Sequence, residues 1–274
     1  MINVAICAPA TPIERVDAER ARTLAAREFP GVSLHFHEQC FACEGHFAGR
    51  DEVRLAAWLD CANDGGMDAV WFARGGYGSN RIAEAAIAGL GPRARDKKWL
   101  GYSDMGYLLG GLYRAGIGQP AHAPMVADIR REGGEEAVRR SLAFLAGDKR
   151  GLETSLASER RPVVAFNLMT LAMLCGTGLM PRLADHVVMV EEVSEYLYAV
   201  DRLFFHVTAH LGEVAGLRLG RVDALENDRP FGSDADAIAR DWCGRRGIPF
   251  LGPADIGHDA ANRVVPFGRG APHL

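Results

Sequence analysis

Short apolar runs alternate with stretches of helical period through the first half of the chain: Ile2–Ala8, then 13–28, Val32–His37, then 51–63, Asp68–Ala73, then 80–90, and Lys98–Tyr102 followed by 104–115. Neighbouring parallel strands need a crossover, and a helix supplies it, so this order predicts a parallel sheet with flanking helices. Local signals agree. Thr11-Pro12-Ile13-Glu14 reads as a capping box with Pro at the first helical position, Asp51 and Ser79 as N-caps, and Gly65 and Gly116 as C-caps.

A polar stretch from Ala146-Gly147-Asp148 to Arg161-Pro162 interrupts the pattern and predicts a surface crossover between two units. The division expected is 1–148, a linker over 149–162, and 163–274. In the second unit the sequence predicts strands near Val163–Ala165, His186–Glu191, 216–222, 248–252 and 263–267, with helices over Asn167–Cys175 and Leu197–Leu211. The fold class is therefore α/β, with an N-terminal parallel-sheet domain and a smaller C-terminal mixed β/α domain. A chain of 274 residues is long enough for two such units sharing a cleft.

Composition narrows the function classes. Acidic residues number 35 against 31 basic ones, with no basic stripe, which argues against nucleic acid as a partner. Gly, Pro or charges break every apolar run short of the roughly 18 residues a membrane helix needs. The N-terminus, cut by Pro9 and Pro12 and lacking a cationic lead, reads as a strand and not an export signal. Six cysteines without such a signal are expected as reduced thiols in the cytoplasm.

Two loops would leave the carboxyl ends of parallel strands, where open α/β sheets bind ligands. In one, Trp99-Leu100-Gly101-Tyr102-Ser103-Asp104 runs from strand into helix, as a nucleophile elbow does, with Gly101 relieving crowding. Met105 stands where the G-x-S-x-G pattern has its second Gly, and taken alone the segment favours a plain Ser N-cap. In the other, Arg74-Gly75-Gly76-Tyr77-Gly78-Ser79-Asn80 carries three glycines that let backbone N–H groups approach an oxyanion or a phosphate. The P-loop Lys-Ser/Thr is missing, and a tight turn accounts for it too. A serine hydroxyl needs a base and an orienting third group. His258, after the strand near 248–252, and Glu191, ending the strand His186–Glu191, are candidates from the second unit, though taken alone each reads as a surface or capping residue before a catalytic one.

Four segments taken together resemble the LD-carboxypeptidase (muramoyltetrapeptide carboxypeptidase) family, which also includes the microcin C self-immunity peptidases. They are Gly49-Arg50-Asp51-Glu52-x-Arg54 leading to Ala73-Arg74-Gly75-Gly76-Tyr77-Gly78-Ser79-x-Arg81; Leu100-Gly101-Tyr102-Ser103-Asp104; Val190-Glu191-Glu192-Val193-Ser194-Glu195; and Asp255-Ile256-Gly257-His258-Asp259 with Val265-Pro266-Phe267-Gly268. The resemblance implies Ser103 as nucleophile, His258 as general base and acid, and Glu191 as the residue orienting His258. It implies oxyanion donors among the backbone amides of Gly76, Tyr77 and Asp104, and substrate contacts at Arg74 and Gly75. It further implies an N-terminal domain similar to class I glutamine amidotransferases, no metal or cofactor, and a homodimer. The activity implied is release of a terminal D-amino acid, D-Ala, from murein tetrapeptide during cytoplasmic wall recycling. The sequence departs from the family pattern at His122-Ala123-Pro124, Met105-Gly106 and Glu192-Val193-Ser194, which bears on the substrate pocket.

Rival readings remain open. His35-x-His37-x-x-Cys40-x-x-Cys43-x-x-His46 has zinc-type residues but no second C-x-x-C. His206-x-x-x-His210 has helical spacing, yet Val207 stands where a zincin has its Glu, so core or surface histidines are expected there. Two further alternatives are hydrolysis of aminoacyl-nucleotide amides, which needs an aromatic platform, and a non-catalytic α/β ligand-binding protein.

Overall fold

The computed structural model describes residues 1–226 and 228–268. Ten strands form two sheets. The first holds β1 (Ile2–Cys7), β2 (Val32–Phe36), β3 (Ala69–Phe72), β4 (Lys98–Gly101), β5 (Gln119–His122) and β10 (Val265–Pro266), in the order β10-β5-β4-β3-β1-β2. All its pairings are parallel except β10 with β5, which is antiparallel. The second sheet is β6 (Val163–Asn167), β7 (Val187–Tyr196), β8 (Gly216–Leu225) and β9 (Phe250–Pro253), paired in that order and parallel throughout.

Strand alternation sorts the helices of the first sheet onto its two faces. Val4 and Ile6 of β1 point toward α1 (Arg15–Glu28) and α5 (Gly134–Leu145), whose Ala18, Ala21, Leu24, Val138 and Leu142 share one buried core with them. Ala5 and Cys7 face the opposite way, into a core with α2 (Asp51–Asn63), α3 (Ala83–Ala88) and α4 (Gly106–Ala115). That second core runs on without a break under the second sheet, where α6 (Leu168–Leu174), α7 (Leu197–His210) and α8 (Ala235–Arg246) pack. Among the described residues no helix is long and apolar enough to cross a membrane.

Several local expectations are corrected. Helix α1 begins at Arg15, and the Asp17 carboxylate accepts the Glu14 N–H at 2.8 Å. Thr11 does not cap it; its hydroxyl donates across the sheet to the Gly75 carbonyl at 2.5 Å. Asp51 and Ser79 are first residues of their helical turns, with Arg50 and Gly78 at the caps, and Asp64 precedes Gly65 as the C-cap of α2. Gly116 does end α4 in the left-handed conformation. The strand expected at 263–267 joins the first sheet, because Val265 and Pro266 pair with His122 and Ala121. Strand β7 does not stop at Glu191 but continues to Tyr196, with its pairing to β8 slipping between Val190 and Glu192.

Candidate active site

Ser103 directly follows β4 and Tyr102, opening the helical turn that leads into α4. Its φ of 61° lies in the left-handed region, a conformation that costs a non-glycine residue roughly 1–2 kcal/mol. Such strain at a strand-to-helix turn is how an elbow lifts its side chain clear of the sheet. The turn is this tight because of Gly101, where a Cβ would stand 2.5 Å from the Phe72 ring on the neighbouring strand.

His258 meets it from the other sheet. The imidazole Nε2 is 3.0 Å from Ser103 Oγ, and Nδ1 hydrogen-bonds Glu191 Oε2. A carboxylate can only accept, so Nδ1 carries the proton and Nε2 presents a lone pair to the hydroxyl. Glu191 is fully buried, and its Oε1 has no hydrogen-bond partner among the described residues. His258 is the hydrogen-bond partner of this carboxylate among the described residues, and on protonation it supplies a compensating charge. Burial by itself lowers the His258 pKa, but the Glu191 charge and hydrogen bond outweigh it and the net direction is up.

The His258 loop is held on all sides. Arg221 pairs with both Asp255 and Asp259, and Arg131 donates to the His258 carbonyl. Asn262 Oδ1 accepts from the Gly257 N–H at 3.2 Å and lies 3.0 Å from His122 Nε2. Burial pushes the His122 pKa down to about 4, so this ring is a neutral strut. The Tyr102 ring lies 4.8 Å from the His258 ring, and its hydroxyl donates to Asp128. Arg131 in turn pairs with Asp128 at 3.0 Å.

The glycine loop after β3 closes on the elbow. A Cβ on Gly75 would stand 3.1 Å from Ser103 Cβ and 3.2 Å from its Oγ, so a larger residue here would press on the Ser103 side chain. The buried Asp104 carboxylate accepts the Gly78 and Ser79 N–H groups, while the Ser79 hydroxyl donates to the Asp104 carbonyl at 2.6 Å. The N–H groups of Gly76 and Tyr77 have no acceptor among the described residues. A cavity of about 420 Å³ opens here, lined by Gly75, Gly76, Ser103 and His258 and by Arg74 and Arg131. Arg74 makes one hydrogen bond, to the Pro12 carbonyl, and no ion pair among the described residues.

Sequence reasoning named Ser103, His258, Glu191, Asp104 and the Arg74–Tyr77 loop, and the structure brings them to one place. It passed over Tyr102 as a support, though it stands inside the quoted Ser103 segment, and Asp128, Arg131, Arg221 and Asn262, none of which stands in a recognisable pattern. It also passed over Thr170, whose hydroxyl reaches the Ser103 carbonyl at 3.3 Å from the first turn of α6, and Asn167, which caps that helix. Glu192 anchors the same corner by accepting from Asn167 Nδ2 at 2.7 Å and the Met169 N–H at 2.8 Å. Burial pushes Glu192 up to about 7 against these donors. The His35–His46 group does not converge: the buried Cys40 donates to the Ile6 carbonyl, His35 lies against Asn3, and Cys43 is exposed.

Comparison with known proteins agrees with this architecture. A family model for the LD-carboxypeptidase N-terminal domain matches residues 4–123, and one for the LD-carboxypeptidase C-terminal domain matches 162–272. The murein tetrapeptide carboxypeptidase of Pseudomonas aeruginosa is 28% identical over 301 residues, covering 98% of this chain and 92% of its own. The muramoyltetrapeptide carboxypeptidase of Oxalobacter formigenes shares the fold at a TM-score of 0.76 and 21% identity, over 97% of this chain and 92% of its own. So does the microcin C7 self-immunity protein MccF in complex with aspartyl sulfamoyl adenosine, at 0.77 and 16%, over 97% and 91%. With both domain models matched in order along most of its length, the chain belongs to the LD-carboxypeptidase family.

Proposed function

We propose that this protein is a serine carboxypeptidase that releases a terminal D-amino acid, D-Ala, from murein tetrapeptide. The observation that carries the reading is the His258 Nε2 to Ser103 Oγ distance of 3.0 Å, with Glu191 on the opposite ring nitrogen. Ser103 Oγ attacks the scissile carbonyl carbon while His258 Nε2 takes its proton, and Glu191 offsets the charge of the resulting imidazolium. The backbone N–H groups of Gly76, Tyr77 and Asp104 face the oxyanion. His258 then passes the proton to the leaving amine, freeing the D-amino acid. A water deprotonated by the same ring cleaves the acyl-enzyme and regenerates Ser103.

Arg74 is the cation available to a free carboxylate beside Gly75, which suits an exopeptidase whose substrate ends in one. The division of labour proposed is a nucleophile domain over 1–148, a linker over 149–162 and a domain over 163–274 supplying Glu191 and His258. On this reading the enzyme acts in the cytoplasm, in wall recycling, as a homodimer, consistent with the murein peptides named for its relatives.

Hydrolysis of an aminoacyl-nucleotide amide is the second reading, and the cavity favours it less. Trp58, Trp71 and Trp99 are fully buried, Trp242 packs against Phe205, and the lining's aromatic ring, Tyr102, is committed to Asp128. The exposed ring in the adjoining glycine loop, Tyr77, lies among His46 and Phe47 and outside the lining of the Ser103 cavity.

The test is D-Ala release from L-Ala-D-Glu-meso-diaminopimelate-D-Ala by the wild type, Ser103→Ala and, with the wild type, the all-L peptide. Release by the wild type only, with selectivity for the D-residue, supports the reading. Release that survives Ser103→Ala overturns the nucleophile, and none from the wild type turns the search to aminoacyl sulfamoyl nucleosides.

A further inference from the structure

Helices α6 and α7 lie side by side at the far side of the second sheet's core, and where α6 ends three metal-capable side chains meet. Cys175 is the C-cap residue of α6, and His206 and His210 sit one turn apart on α7. One candidate ligand atom from each lies within 4.8 Å of the other two, and among the described residues this is the sole such group of three. Around a tetrahedral zinc ion, thiolate sulfur and imidazole nitrogens stand about 3.5 Å apart, so modest side-chain rotation closes the set.

The histidines are prepared for it. The His210 Nδ1 lies 2.9 Å from the His206 carbonyl oxygen, which can only accept, so Nδ1 bears the hydrogen and Nε2 keeps its lone pair. An imidazole oriented through its other nitrogen by a carbonyl is the usual outer-shell arrangement of a metal ligand. The two rings stand 4.5 Å apart, and the His206 ring has no hydrogen-bond partner among the described residues. The pair lacks a zincin glutamate, but a third metal-capable side chain, Cys175, stands beside it at the end of a different helix.

We propose that Cys175, His206 and His210 form a binding site for one thiophilic first-row divalent cation of the zinc class, with a water as fourth ligand on the exposed His210 side. The mixed sulfur and nitrogen set selects zinc-type ions over calcium or magnesium. Cys175 enters as the thiolate and releases its proton to solvent. None of the three residues lines the Ser103 cavity, so the ion has no part in the peptidase chemistry. Its role is mechanical: it ties the end of α6 to α7, and the start of α6 carries Thr170, which reaches the Ser103 carbonyl.

Chelator-treated full-length protein is titrated with Co²⁺ and, in competition, Zn²⁺, beside Cys175→Ser and His206→Gln, with circular dichroism confirming that both variants are folded. The expected result is one equivalent of Co²⁺ with a near-ultraviolet thiolate charge-transfer band and tetrahedral visible absorption, both displaced by zinc. Cys175→Ser loses the charge-transfer band, and each variant binds zinc at least about 100-fold more weakly, the upper size seen even for losing an outer-shell partner. Zinc also raises the thermal midpoint of the wild type and not of Cys175→Ser. A wild type without the charge-transfer band, or variants that bind zinc as tightly as the wild type, overturns the site.

Discussion

The Tyr102 hydroxyl donates to the Asp128 carboxylate at 2.8 Å while the Tyr102 ring lies against that of His258. One side chain thus links the end of β4 to the loop after β5 and to the His258 ring. Asp128 is buried, which raises its pKa, and Arg131 and Tyr102 are the side chains that hold its charge.

Removing the hydroxyl alone leaves a buried carboxylate short of a donor. Tyr102→Phe is expected to lose about 1–3 kcal/mol of stability, read by urea denaturation at pH 7. An unchanged midpoint would show that Arg131 and the Met125 N–H satisfy Asp128 without it.

The left-handed backbone at Ser103 separates strain from chemistry. Ser103→Ala and Ser103→Gly both lower kcat by about 10⁴-fold or more. Glycine relieves a strain of roughly 1–2 kcal/mol that alanine keeps, less the greater freedom it gains when unfolded. Ser103→Gly is therefore expected to be more stable than Ser103→Ala by about 1 kcal/mol. Calorimetry of the two inactive variants checks the order.

The proposed mechanism requires neutral His258, whose pKa burial lowers but Glu191 raises further, leaving it above its ordinary 6.5. kcat/KM should accordingly fall on the acid side with a midpoint above 6.5. Glu191→Gln removes the charge, moves that midpoint downward, and costs about 10⁴-fold in kcat/KM, as losing the orienting carboxylate does elsewhere. A pH profile of both proteins, taken at substrate well below KM, tests direction and size together.

Glu192 makes a stability prediction of the opposite kind from an ordinary salt-bridged carboxylate. Burial lifts it from the usual 4.5 to about 7, so between those values the folded state holds a proton that the unfolded chain has lost. Its contribution is full below pH 4.5 and declines as pH rises to about 7, by about 3 kcal/mol in all. Glu192→Gln cannot titrate and should gain on the wild type between pH 5 and pH 8. An equal stability difference at the two values would refute this.

Much of the first sheet is legible because its strands are short apolar runs separated by helical periods, the strongest local signal a chain carries. Strand β5 escapes that signal: Gln119-Pro120-Ala121-His122 is four residues long with a proline inside, and only its place between β4 and β10 makes it a strand. Helices α5 and α8 hide behind their charges, with Glu135, Glu136, Arg139 and Arg140 on one and Asp236, Arg240, Asp241 and Arg245 on the other. Thr11-Pro12-Ile13-Glu14 shows how a correct local rule yields to a tertiary one, since the Thr11 hydroxyl finds the Gly75 carbonyl instead of its own helix. The residues that meet at Ser103 stand at strand ends in recognisable patterns. Their supports, Arg221 and Asn262 among them, are single residues whose partners are set by the fold.

The chain between β9 and β10 leaves one sheet and is sewn into the other, with His258 midway along the crossing. Ser103 and Glu191 both precede this crossing in the chain, and residues 265–266, which pair beside β5, follow it. On the proposed mechanism a chain cut before this crossing lacks the imidazole that activates Ser103, so hydrolytic competence would report that both sheets are stitched together.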